Sequence, residues 1–212
     1  MEDTSREDKG RELDELRQRV ASLEAALAEP PKERWQATGY YPAYSATAGF
    51  MLGSIAAGAS LLLNVVGSLI VGKPALWLIQ VYLTFPLGAR ALTEDFAKES
   101  GMIIAIGCCL YLGTGMLLGI VFQLALARLA PPQQVPPLAK RIIASTVLAA
   151  LIWVVNFYFI LSWLQPALFG GNWIVELVPW WVGLLTHLVF GWTMALVYPL
   201  GKYTPYELQT ER

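Results

Sequence analysis

The sequence predicts an all-α integral membrane protein built as a four-helix transmembrane bundle, and three observations carry that expectation. Four stretches, at about 46–72, 102–127, 142–165 and 177–200, contain no Asp, Glu, Lys or Arg. Each meets the roughly 20 apolar residues that a helix needs to cross the hydrocarbon core. Hydrophobic side chains make up 56% of the 212 residues and the mean hydropathy is +0.49, which argues against a soluble fold. Charge is segregated: residues 1–34 hold 7 of the 15 basic and 10 of the 16 acidic side chains. In lipid every backbone N–H and C=O needs a partner within its own segment, so such uncharged runs are expected to be spanning helices.

The chain divides into a cytoplasmic N-terminal region (1–34), a four-span membrane domain (35–204) and a short cytoplasmic tail (205–212). Its acidic, polar start lacks the basic n-region of a secretory signal, so the first span is expected to act as an uncleaved insertion signal. Within 11–29, Leu13, Leu16, Val20, Leu23 and Leu27 follow the alternating three- and four-residue spacing of a coiled-coil seam. Little more than two heptads is too short to be stable alone in water. The stripe therefore implies a protein partner or self-association. A membrane-surface role fits less well, because the polar face is mixed in sign. Pro30 and Pro31 then end the helix.

Trp35, Tyr40, Tyr41 and Tyr44 precede the first span and form an expected interfacial belt; Trp173, Trp180 and Trp181 mark the opposite face. Tyr198, Tyr203 and Tyr206 mark the end of the last span. In the first span Gly49, Gly53, Ala57, Ser60, Asn64 and Gly67 make one stripe of small or polar residues. Without a hydrophobic drive between helices in lipid, close approach over small residues is the packing device, so this stripe should face protein. The apolar segment at about 75–89 is too short to cross and reads as an interfacial or re-entrant segment.

The second span carries Gly107, Tyr111, Gly115, Gly119 and Gln123 at steps of four; the fourth carries Gly183, His187, Gly191 and Ala195 at the same step. Both should face protein. Cys108 and Cys109 are adjacent, and neighbouring helical residues point about 100° apart, so no mutual disulfide is expected. PPQQVPP at 131–137 reads as a stiff connector, with Arg128, Lys140 and Arg141 counted as loop charges. The loop at 166–176 has no Lys or Arg, and with the other loops it puts both termini in the cytoplasm. Compactness and the lack of eukaryotic sorting signals point to a bacterial inner membrane. Aligning Gly119 with Gly191, and Asn64 with Asn156, suggests a parallel internal repeat in which the first pair carries an extra segment at 75–100.

The polar side chains inside the spans are the candidates for a ligand-binding belt: His187, Asn64, Asn156, Thr114 and Thr186. His187 is the sole histidine, and an ionisable group inside a membrane is a functional hypothesis by default. Its bland alternative is a neutral imidazole tying helices together. With no carboxylate in any span and no familiar catalytic motif, no enzymatic activity is expected. Nor is a cofactor or metal expected, and without a basic patch nucleic acid is not an expected partner. Membrane lipids are. The expectation is a non-catalytic accessory or assembly subunit of a larger membrane complex, the alternative a small oligomeric transporter or channel with a polar midplane belt.

Overall fold

A computed structural model describes residues 2–28, 42–93, 101–131 and 134–202, with side-chain surroundings in the first helix given for residues 11–25. Two units separate, Met1–Ala37 and Thr38–Arg212. The first contains α1 (Glu2–Ala28), which starts well before residue 11, where the heptad pattern begins. The residues ahead of the stripe are polar but include no proline to stop a helix. Leu13, Leu16, Val20 and Leu23 are 49%, 58%, 53% and 58% exposed. Asp14 and Arg17 pair at 3.5 Å on the surface, where such a bridge adds little. The Leu27 side chain, Trp35, Tyr40, Tyr41, Tyr203, Tyr206 and the tail at 205–212 lie outside the description.

Helix is the only regular secondary structure among the described residues of the second unit, and four of its helices are long and apolar enough to cross a membrane. They are α2 (Pro42–Ile70), α4 (Gly101–Ala127), the continuous run of α5 (Leu138–Val154), a π-helical stretch (Val155–Leu161) and α6 (Ser162–Phe169), and α8 (Trp180–Val197) with its 3-10 extension Tyr198–Gly201. Proline opens three of them. Pro42 occupies the first helical position of α2, where its missing N–H costs nothing, and Pro137 and Pro179 immediately precede α5 and α8. Two short helices, α3 (Trp77–Leu87) and α7 (Trp173–Leu177), complete the unit. Neither spans. Gly170 closes α6 in the left-handed region (φ 80°), where glycine carries no steric penalty.

Small residues decide how the helices meet. A Cβ built on Gly53 would stand 2.5 Å from the Gly115 carbonyl oxygen, and Gly119 backs onto the Gly49 carbonyl just as closely. Ala57 fills the space over Gly115. These contacts run in opposite chain directions, so α2 and α4 are an antiparallel pair. The pair α5–α8 closes similarly, with Gly191 beneath Ser145 and Ala149 and Gly183 beneath the Phe157 ring. Gly67 breaks the expected pattern: it is exposed with nothing nearby, and Ser68 is the buried residue instead. The buried face runs on in steps of four from Ser60 through Asn64 to Ser68, and the step of three to Gly67 turns off it.

Arg141 also departs from its expected place in a solvated loop. It lies in the first turn of α5, only 8% exposed, and its guanidinium donates to the Ala195 carbonyl at 2.6 Å. That oxygen belongs to the last turn of α8, where the helix dipole favours a cation. Gln123 donates to the Gly201 carbonyl at 3.2 Å at the same end.

Candidate functional site

Several polar residues of the spans gather around one cavity of about 520 Å³, built between α2, α4, the α5–π–α6 run, α8 and the short helix α3. All but one of the expected belt residues line it: Thr114, Asn156, Thr186 and His187 do, whereas Asn64 stands just behind Thr186. They do not form a single network. Three separate clusters face the space.

The first cluster joins α2, α4 and α8. Thr186 shares its single hydroxyl proton between Asn64 Oδ1 and the Val182 carbonyl of its own helix, each at 2.8 Å. Asn64 Nδ2 donates to the Tyr111 hydroxyl at 3.5 Å. Ser60 gives its proton to the Ala57 carbonyl, so the Tyr111 hydroxyl donates to Ser60 Oγ at 2.9 Å. Every heavy polar atom of Asn64 therefore has a partner, as buried amide groups require.

The second cluster joins α8 to the π-helical stretch. His187 Nδ1 lies 2.8 Å from the Gly183 carbonyl, which can only accept, so Nδ1 carries the proton. In the neutral ring Nε2 is then an acceptor, and Asn156 Nδ2 donates to it at 3.4 Å. This fixes the amide orientation: Nδ2 faces the histidine and Oδ1 is left over. No donor among the described residues reaches Asn156 Oδ1. The wide turn carrying Asn156 is a π-helix, a distortion found mostly as single turns and often at functional sites. Side chains take up its loosened carbonyls: Ser162 donates to Tyr158 O at 2.7 Å and the Trp163 indole to Phe159 O. Pro166, one turn further, lacks the N–H that would have bonded back to Ser162.

The third cluster was not legible in advance. Tyr82 of α3 sits on the cavity wall with its hydroxyl 2.8 Å from Thr114 Oγ1. Thr114 donates to Leu110 O at 2.9 Å, so Tyr82 is the donor between the two hydroxyls. Below α3, Gln165 is completely buried; it donates to Thr84 Oγ1 at 2.9 Å and accepts from the Ile174 N–H at 3.0 Å. That bridge clamps α3, α6 and α7 together and so holds Tyr82 in place. A glutamine next to Pro166 in an aromatic run was the available signal for it.

The remaining wall is apolar, with Phe85, Leu118, Phe122, Ile152, Phe157 and Phe190 contributing. No carboxylate, thiol or amine lines the cavity, and among the described residues no three His, Cys, Asp or Glu side chains come together as a metal cluster would. Cys108 and Cys109 are both free thiols. What the site offers is a set of hydrogen-bonding atoms at one level of an otherwise greasy space, which suits recognition of an uncharged molecule. No protein-family model, curated protein or solved structure matches this chain.

Proposed function

We propose that the chain is a non-catalytic, multi-pass membrane protein that serves as an accessory subunit of a larger membrane complex, docking its partner through α1. The carrying observation is the stripe Leu13, Leu16, Val20 and Leu23, each about half exposed along a helix with otherwise polar faces. An amphipathic helix of this kind gains its stability by burying its apolar stripe against another helix. Membrane insertion is supported by the outer faces of the long helices, where Met51, Ile55, Leu62, Leu117, Val147 and Leu151 are exposed. A water-soluble surface rarely presents so continuous an apolar area. In this reading α3 and α7 lie at the outer face and both termini in the cytoplasm, as the loop charges favour. A bacterial inner membrane suits that arrangement.

The test is deletion of residues 1–30 from the full chain, followed by gentle detergent extraction and native mass measurement. The intact chain is expected to carry a foreign subunit in fixed stoichiometry that the deletion loses. An unchanged set of companions after deletion would sink the proposal. The cavity favours a second reading, a small oligomeric transporter or channel, which predicts a discrete homo-oligomer in the same measurement.

A further inference from the structure

The bundle consists of two helix pairs, α2 with α4 and α5 with α8. The register that sets Asn64 on Asn156 also sets Gly53 on Ser145, and the register that sets Thr114 on Thr186 sets Gly119 on Gly191. The contacts follow the same correspondence: Gly53 meets Gly119 in the first pair, and Ser145 meets Gly191 in the second. An approximate two-fold axis parallel to the helices thus relates the pairs. It should make the two seams between them alike.

They differ. At the seam between α2 and α8 the helices lie closely together and Thr186 donates directly to Asn64 Oδ1 at 2.8 Å. At the seam between α4 and α5, the corresponding Thr114 and Asn156 make no bond, and these helices touch only lightly. Thr114 is occupied by Leu110 O and by the Tyr82 hydroxyl. The cavity of about 520 Å³ fills the gap, with Thr114 and Asn156 both on its wall. Tyr82 and Phe85 belong to the inserted segment, which makes the link of the first pair about 20 residues longer than that of the second. The insertion props one seam open.

We propose that this open seam binds an uncharged, single-chain amphiphile from the membrane, with its tail against Leu118, Ile152 and Phe157 and a hydrogen-bond-donating head, such as a hydroxyl, on Asn156 Oδ1. The head is uncharged because no side chain of opposite charge lines the site, and an unpaired ion there would be strongly disfavoured. It is a donor because the unmet capacity is acceptor in kind. Asn156 Oδ1 takes the place that Asn64 Oδ1 holds in the closed seam, but without a threonine proton. The Tyr82 oxygen, its own proton given to Thr114, is a second acceptor. The ligand head replaces the missing Thr114–Asn156 bond.

The proposal rests on the membrane placement above but not on the α1 partner. Alkaline carbonate extraction tests that placement separately, since a peripheral protein would be released. For the site, the full-length protein in phosphatidylcholine nanodiscs is photolabelled with a diazirine-bearing hexadecanol, and the labelled peptides are mapped by mass spectrometry. Saturable labelling on the α4 and α5–π walls is expected, competed at least about fivefold better by hexadecanol than by hexadecyl methyl ether, which cannot donate. Leu118→Trp should abolish it by filling the space. Asn156→Leu should retain labelling but lose the preference for alcohol over ether. Labelling spread evenly over outward-facing residues such as Leu62 and Leu117, or equal competition by the ether, would overturn the proposal. So would a folded Leu118→Trp protein that labels as before.

Discussion

The crossing of α2 over α4 can be tested with two alanine substitutions in the same helix. A Cβ on Gly53 would lie 2.5 Å from Gly115 O, 2.9 Å from Met116 Cα and 3.0 Å from Gly119 Cα. All three are backbone atoms, so no side-chain rotation relieves them. Normal carbon contacts sit at about 3.5–4.0 Å, so the helices must separate by roughly 1 Å at the crossing. That gap forfeits a quarter to a half of each neighbouring dispersion contact, and overpacking of this kind costs about 1–3 kcal/mol. Gly58, one turn beyond, has nothing within 4 Å of its Cβ position. Alanine there should keep only its advantage in helix propensity, up to about 1 kcal/mol. The propensity gain is common to both, so Gly53→Ala is expected to be about 1–3 kcal/mol less stable than Gly58→Ala, measured by SDS titration of helicity in mixed micelles. The same change at both positions, within about 0.5 kcal/mol, would refute the backbone-contact account.

Two further outcomes follow from the polar clusters. Gln165→Leu leaves the Ile174 N–H and Thr84 Oγ1 without their partner in a dry site, so it should destabilise by about 1–3 kcal/mol and expose the α6–α7 link to protease, read by thermal shift and limited digestion. His187→Ala frees the Asn156 amide to turn, so the protein should remain folded and label with the hexadecanol probe while its alcohol-over-ether preference falls; retention of the full preference would show that His187 does not set that amide.

Much of the fold was written in apolar run lengths and small-residue spacing, because lipid makes both nearly obligatory. The four long helices fall where uncharged runs end, and Gly49, Gly53, Ala57, Gly115 and Gly119 meet as their common stripe requires. The shortness of α3 was legible from the length of its apolar run. What periodicity could not convey was its packing. Tyr82 looks like any aromatic in an apolar segment, and only the packed structure puts it opposite Thr114. In the sequence Arg141 looks like a loop charge because its partner is a backbone carbonyl, and backbone acceptors leave no mark there. The π-helical stretch was equally hidden, since one extra residue in a turn changes no composition. The belt residues were found because polar groups among Leu and Val are rare. Their division into three clusters depended on which helix faces which.

The size of the cavity bears on what occupies it. At about 520 Å³ the open seam has room for a hydrocarbon chain lying between the helices. Bulk acyl chains can fill the apolar part, since the surrounding lipid is equally apolar. They cannot supply a proton to Asn156 Oδ1, and an acceptor left unpaired away from water costs about 1–3 kcal/mol. A donor-headed amphiphile recovers that energy while losing none of the tail contacts, so it outcompetes the bulk lipid by roughly 5- to 150-fold, at 1.4 kcal/mol per factor of ten. The selectivity of the seam thus comes from one missing hydrogen bond, the one that its two-fold mate makes between Thr186 and Asn64.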